Sequence, residues 1–344
     1  MGSVKDLVVF EEPKGLSCGL GKFVFSDRFS VFDWGKMPDE IPLKGKSLCI
    51  MGAFFFEKLE KNSFKTHYIG LTEDGKIKRL DELKEPSAEM VVKLVRVVKP
   101  RIKNGAYDYS EFKNLKGNFL IPFEVIYRNS LPEGSSVFKR LKEGKITPAD
   151  LGLDRFPQPG IKLPGTFVEL STKLEEIDRY ISWDEAKELT GISDVVFEEI
   201  KEGAVFASKL ITEFVEKAGV SNEDGKFEFA LDENGKLMFV DVLGTPDECR
   251  FTKDGFHISK EILRIFYRKT EWFNKVEEAK KKDKINWRDL VRIPPPSLPE
   301  ELKKLVSFMY LACCNEITGR EWFRGVPPLG DVIKEIKSFL DSIS

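Results

Sequence analysis

Residues Val4 to Phe10, and again Lys22 to Phe25, are rich in β-branched and aromatic side chains, with Gly15, Gly19 and Gly21 between them; this pattern predicts two strands joined by a loop. The period changes over Gly45 to Leu59, where apolar residues recur at helical spacing and predict a buried helix. Strands are expected at His67 to Leu71 and Met90 to Val98, followed by a polar surface excursion from Lys99 to Asn118. Phe119 to Tyr127 (FLIPFEVIY) reads as a strongly apolar strand, and Pro157 to Gly165 as an irregular, proline-broken loop. Ser182 with Glu185 three residues on reads as a capping box at a helix start. A second helix is expected from Asp194 to Ala218, stopped by Gly219. Phe227 to Leu231 and Lys236 to Val240 flank Asp232-Glu233-Asn234-Gly235, which predicts a hairpin. From about Lys260 the pattern is helical, apart from the break at Pro294-Pro295-Pro296.

Strands first, then a mixture, then helices predicts an α+β fold rather than alternating βαβ units. The expected division is an antiparallel, β-rich N-terminal lobe over 1–120, a central α/β lobe with the hairpin over 121–265, and a C-terminal helical segment over 266–344. Composition narrows the function. The chain has 344 residues, with 55 basic against 57 acidic and a net charge of −2, so electrostatics offers no case for nucleic acid or an anionic membrane as partner. No apolar window is long enough to span a bilayer, and the N-terminus has no secretory pattern. Five scattered cysteines and two histidines fit neither a disulfide framework nor a histidine-rich metal site, so a reduced, cytoplasmic protein is expected.

Three segments carry candidate chemistry. In Asp224-Gly225-Lys226-Phe227-Glu228-Phe229, strand alternation places Asp224, Lys226 and Glu228 on one face and the phenylalanines on the other. Asp241, at the end of the hairpin's second strand, can come alongside. Two or three carboxylates around a lysine suit Mg²⁺ bridged to nucleotide phosphates. The same alternation also fits a solvated edge hairpin. Arg128-Asn129 followed by Gly134-Ser135-Ser136 and Lys139-Arg140 offers amides, hydroxyls and guanidinium to an anion, or is a plain turn before a basic helix. Ser26-Asp27-Arg28-Phe29-Ser30-Val31-Phe32-Asp33 is a polar run directly after a strand, either a site or a self-satisfied loop. No GxxxxGK[ST] or GxGxxG element is present, which closes the P-loop and Rossmann routes to nucleotide binding.

Taken together and in order, these segments resemble the SAICAR synthetase family, in its longer, eukaryote-like form. The family's (T/S)DRxSxFD run is matched by Ser26 to Asp33, and its IPxKG by Ile41 to Gly45. Pro122, Glu124, Ile126, Arg128, Gly134 and Ser135 match P-x-E-x-I-x-R…G-S, and Ser171-Thr172-Lys173, Asp178 and Ile181-Ser182 match the STK segment. Asp224, Lys226, Glu228 and Phe229 match D-x-K-x-E-F, Thr245 to Phe251 match (T/S)PDxxR(F/L), and Ile317 to Trp322 match ITGxxW. The resemblance implies an ATP-dependent ligase of purine biosynthesis. It would join carboxyaminoimidazole ribotide (CAIR) to L-aspartate through an acyl phosphate and release ADP and phosphate.

It also implies roles. Lys226, Glu228 and Asp241 would serve ATP phosphates and Mg²⁺, with Lys5, Lys93 and Glu124 on the nucleotide side. Arg128, Ser135 and Arg250 would hold the ribotide phosphate, and Asp27, Ser30 and Asp33 the imidazole end. Lys173 and Asp178 would lie near aspartate, and Asp224 beside Lys226. Two positions depart from the family: Ser3 stands where the phosphate-covering loop has a lysine, and Ile177 where a histidine precedes Asp178. A related ligase using another amine, or a nucleotide-binding protein without turnover, therefore stays open beside the main expectation.

Overall fold

The structure is a computed structural model that describes residues 4–343. Five antiparallel strands form the first sheet: β1 (Lys5–Glu11), β2 (Gly19–Phe25), β3 (Tyr68–Glu73), β4 (Lys76–Lys78) and β5 (Glu89–Leu94), in the order β1-β2-β5-β3-β4. Helix α1 (Lys44–Lys61) crosses between β2 and β3 and buries Leu48, Ile50, Phe55 and Phe56. Glycine is required at the start of β2. A Cβ on Gly19 would lie 2.2 Å from the Glu11 carbonyl, where the register of β1 shifts. Gly19 and Gly21, expected in the loop before the second strand, are therefore part of that strand.

A small hairpin, β6 (Arg101–Lys103) with β7 (Ala106–Asp108), follows. The expected surface excursion is only partly one, because Tyr109 and Phe112 behind this hairpin are fully buried in the core. The second sheet contains β8 (Phe119–Leu131), β9 (Ile161–Thr172), β10 (Tyr180–Ile181), β11 (Ser221–Leu231), β12 (Leu237–Val240), β13 (Cys249–Lys253) and β14 (Phe256–Ile258). Its order is β10-β9-β8-β11-β13-β14, with β12 also paired to β11. These pairings are all antiparallel, so the central lobe's sheet is not built from βαβ units.

The loop expected over Pro157 to Gly165 instead begins β9 at Ile161. The short β10 covers only Ser171 and Leu170 of its neighbour, so Pro164 sits on an open edge where no N–H is needed. Helices α2 (Ser136–Lys142), α3 (Trp183–Thr190) and α4 (Asp194–Lys217) belong to this half. At α3 the capping box forms by half. Ser182 Oγ accepts from Glu185 N, but the Glu185 carboxylate accepts from Arg179 Nη1 at 2.6 Å instead of turning back to the cap. Helix α4 lays Phe197, Ile200, Ala204, Ala207 and Ile211 against the sheet, and Gly219 follows it with φ 65°.

The C-terminal part holds α5 (Glu261–Arg268), α6 (Glu271–Lys282), α7 (Glu300–Thr318) and α8 (Leu329–Ser342). One apolar cluster runs from Phe25 to Leu340 through all three expected lobes. Among the described residues no helix is long and apolar enough to cross a membrane.

Candidate active site

Three neighbouring strands build one polar face, and their register decides which side chains meet. β11 lies antiparallel to β8 with Asp224 opposite Arg128 and Glu228 opposite Glu124. Two facing glutamates would repel. Lys226 offsets this, with its Nζ 2.8 Å from Glu124 Oε1, 3.8 Å from Glu228 and 3.4 Å from Glu248. Lys173, just past the end of β9, bonds the same Glu228 and lies 3.5 Å from Glu124. Burial would lower the lysines' affinity for protons, but the surrounding glutamates outweigh it and raise both pKa values.

Asp241 follows β12 in a left-handed backbone, φ 65°. Its carboxylate lies 2.6 Å from Lys5 Nζ, which itself sits 5.0 Å from the Phe23 ring centroid. Its carbonyl lies 3.1 Å from His67 Nε2. Burial works against ionisation, yet Lys5, Lys226 and Lys173 hold the Asp241 pKa below the usual carboxylate range. For Glu228 the balance reverses. Burial, then the charge of Asp241, push it up to about 7 despite the two lysines. Asp178, on the exposed loop between β9 and β10, is also raised, by burial and then by Glu124.

Residues of this face line two clefts. One, of about 400 Å³, is largely apolar, with Leu7, Val9 and Leu94 opposite Glu228 and Asp241, and with Lys93 at its side. Lys93 itself pairs with Glu233 at 3.3 Å. The other, also about 400 Å³, is polar and is lined by Gly134, Asp224, Glu248, Arg250 and residues of α5. Arg250 lies 3.6 Å from Asp224. Arg128, buried behind it, pairs with Glu169 and Asp224, and burial is the main cause that raises the Asp224 pKa. Ser135 is buried and caps α2, accepting from Val137 N.

The residues expected at the imidazole end lie in the segment that follows β2. Asp27 spends its two carboxylate oxygens on Leu43 N and Gly45 N, which start α1. Leu43, in a left-handed backbone, makes no cap of its own. Asp33 lines neither cleft and pairs with Lys280 at 3.3 Å, while Ser30 is half-buried in the turn after β2. Ser3 lies outside the described residues.

Several polar partners were not singled out from sequence: Glu248, Glu169, Tyr180 and the ion pair of Lys44 with Asp247. Glu248 stands two residues before Arg250, and Glu169 shares strand parity with Ser171 and Lys173, so both were within reach of an alternation argument.

Comparison with known proteins settles the lineage. A sequence model of SAICAR synthetase matches residues 2–282. The chain belongs to the SAICAR synthetase family. An Archaeoglobus fulgidus protein, provisionally described as a phosphoribosylaminoimidazole-succinocarboxamide synthase, is 54% identical over 341 residues, 99% of this chain and 100% of its own. A Thermoplasma acidophilum phosphoribosylaminoimidazole-succinocarboxamide synthase is 32% identical over 87% of this chain and 93% of its own. Among solved structures, the Saccharomyces cerevisiae SAICAR synthase complexed with SAICAR overlays with a TM-score of 0.61 at 23% identity, covering 94% of each chain. A SAICAR synthetase in complex with ADP gives 0.55 at 23% identity, covering 87% of this chain and 99% of the other. At that identity the overlays establish the family's α+β fold.

Proposed function

We propose that this protein is an ATP-dependent C–N ligase of purine biosynthesis that joins the CAIR carboxylate to the amine of L-aspartate, releasing ADP and phosphate. The observation that carries the reading is Lys226. Its ammonium touches Glu228, on the wall of the apolar cleft, and Glu248, on the wall of the polar one. A phosphoryl group passing from a nucleotide in the first cleft to a carboxylate in the second would travel past it. The apolar cleft suits a base, and the polar one, with Arg250, suits a phosphorylated sugar.

In the first step a CAIR carboxylate oxygen attacks the γ-phosphorus and ADP leaves, giving an acyl phosphate. Lys226 and Lys173 neutralise charge on the moving group, with Lys5 and Lys93 on the nucleotide side. In the second step the aspartate nitrogen attacks the acyl carbon and phosphate leaves. Asp178, whose pKa is raised by burial and then by Glu124, would take the proton from the amine.

Family membership implies Mg²⁺, and the donor set fits it. Glu228 and Asp241 are close enough that one raises the other's pKa, and Mg²⁺ is held by one or two carboxylates with the rest supplied by phosphates and water. Among the described residues no group of three metal-binding side chains is assembled in advance. Glu228 and Asp241 would hold the ion, which would supply charge neutralisation at the β- and γ-phosphates.

The deciding assay is ADP release with CAIR, with and without L-aspartate. Aspartate-dependent release supports the reading. Ile177, 79% exposed next to Asp178, is the residue that favours a different amine, and release with another amine instead of aspartate would establish that second reading. Nucleotide binding with no release under any amine would leave a protein without turnover. Its place of action is proposed to be the cytoplasm.

A further inference from the structure

Around Arg128, behind the polar cleft, lie three side chains that the roles above leave unused: Tyr180, Arg140 and Glu169. Arg128 is 4% exposed, and its partners differ in kind from edge to edge. Nε donates to Glu169 at 2.8 Å and Nη1 to Asp224 at 3.0 Å. Nη2 donates to two hydroxyls, Ser136 Oγ at 3.3 Å and Tyr180 Oη at 3.1 Å. Carboxylates on the first two edges repel a phosphate. The Nη2 edge, faced by neutral groups, is where an anion can reach this guanidinium. Tyr180 stands at that edge, 38% exposed where Arg128 is buried, with its hydroxyl 2.8 Å from Ser136 Oγ.

The other face of the Tyr180 ring carries the guanidinium of Arg140, 3.8 Å from the ring centroid. Arg140 is buried. Its Nη1 lies 2.6 Å from Glu169 Oε2 as an ion pair off the hydrogen-bonding axis, and its Nε and Nη2 find no partner among the described residues. Three guanidinium groups (Arg128, Arg140 and Arg250) share two paired carboxylates (Glu169 and Asp224). Buried guanidinium donors without acceptors call for an anion.

Resting on the reading of Arg128 and Arg250 as the ribotide-phosphate group, we propose that Tyr180 is a further ligand of that phosphate. Its hydroxyl turns from Ser136 to donate to a phosphate oxygen beside Arg128 Nη2, and its ring fixes Arg140 behind the same anion. Tyr180 thereby selects a phosphorylated ribose, and binding alone is involved, with no bond made or broken.

The test is calorimetric titration of wild type, Tyr180→Phe and Tyr180→Leu with ribose 5-phosphate and, separately, with ATP. Loss of one hydrogen bond to a charged group is expected to weaken ribose 5-phosphate about ten-fold in Tyr180→Phe. Tyr180→Leu, which also removes the face that holds Arg140, weakens it further, and ATP affinity stays as in wild type. Wild-type affinity for ribose 5-phosphate in Tyr180→Phe overturns the proposal while leaving the phosphate reading of Arg128 in place. Equal losses for ribose 5-phosphate and ATP overturn it too, since that is the signature of a purely structural tyrosine. If wild type itself does not bind ribose 5-phosphate, the phosphate reading fails and takes the proposal with it.

Discussion

At the scale of single residues, the acidic pair Glu228 and Asp241 shows how burial and neighbours divide two similar groups. Lys5, at 2.6 Å, holds the Asp241 pKa below the usual carboxylate range against burial, whereas burial, and then the charge of Asp241, push Glu228 up to about 7. Substitution of either by its amide, Glu228→Gln or Asp241→Asn, is expected to cut Mg²⁺-dependent turnover roughly 100-fold with the fold retained. Turnover at limiting Mg²⁺ alongside a thermal melt decides this, and unchanged activity in both variants removes the metal assignment. His67 makes a second case. It is buried between Phe23 and Phe56, and burial pushes its pKa down to about 4. The folded chain then binds fewer protons than the unfolded one between about pH 4 and 6.5. Stability from this site is present above 6.5 and is lost as pH falls through that window, by up to about 3 kcal/mol. In His67→Gln the melting temperature should fall less steeply between pH 6.5 and 5 than in wild type.

At the scale of elements, β1 acts as the outer wall of the nucleotide cleft. Leu7 and Val9 face the cleft and Lys5 reaches across to Asp241. Lys22, on the adjacent strand, pairs instead with Glu89 at 2.8 Å. Lys5→Ala is therefore expected to raise the KM for ATP about ten-fold, as a charge-assisted contact is lost, and Lys22→Ala to leave it near wild type. Steady-state ATP kinetics on the two variants separates them, and a damaging Lys22→Ala would show that β1 is misassigned as the phosphate-covering strand. The segment Ser26 to Asp33 teaches a different point. Its match to the family is clear in sequence, yet Asp27 is committed to the first amides of α1. A carboxylate in a motif can serve a helix start as well as a ligand, and sequence spacing does not distinguish the two uses.

For the molecule as a whole, the joint between its parts is an ion pair. Lys44, at the start of α1, is fully buried, with its Nζ 2.8 Å from Asp247, and Tyr310 of α7 donates to the same carboxylate at 2.7 Å. Burial works against ionisation, but the charges of Lys44 and Lys260, with the hydrogen bonds from Lys44 and Tyr310, hold the Asp247 pKa far below normal. Lys44→Met should cost about 3–5 kcal/mol by stranding a buried carboxylate, and adding Asp247→Asn should cost less than the sum of the two single changes. A urea-denaturation double-mutant cycle measures both. The C-terminal helices are likewise part of the core. Leu302, Val306, Met309 and Cys313 of α7 are buried, and Ser307 Oγ bonds the Pro42 carbonyl. A chain ended at Pro296 is expected to lose its cooperative melt by circular dichroism. A folded fragment would show that α7 and α8 only brace the rest.

The sequence alone determined the parts of this protein that depend on local period. The alternation of Asp224, Lys226 and Glu228 against Phe227 and Phe229, the DENG hairpin, the buried α1 and the order of the family motifs each follow from residues close in the chain. Tertiary structure decided the pairings. Glu228 meets Glu124 because β11 and β8 adopt one register out of several, and a slip of one residue would turn every side chain over. Asp241 raises Glu228 because the hairpin folds them together, and Lys226 reaches both clefts because three strands bring their walls to one point. Charge is written residue by residue, but a proton affinity or an ion site is a property of neighbours, and those neighbours come from up to 236 positions apart along the chain, as Lys5 pairs with Asp241.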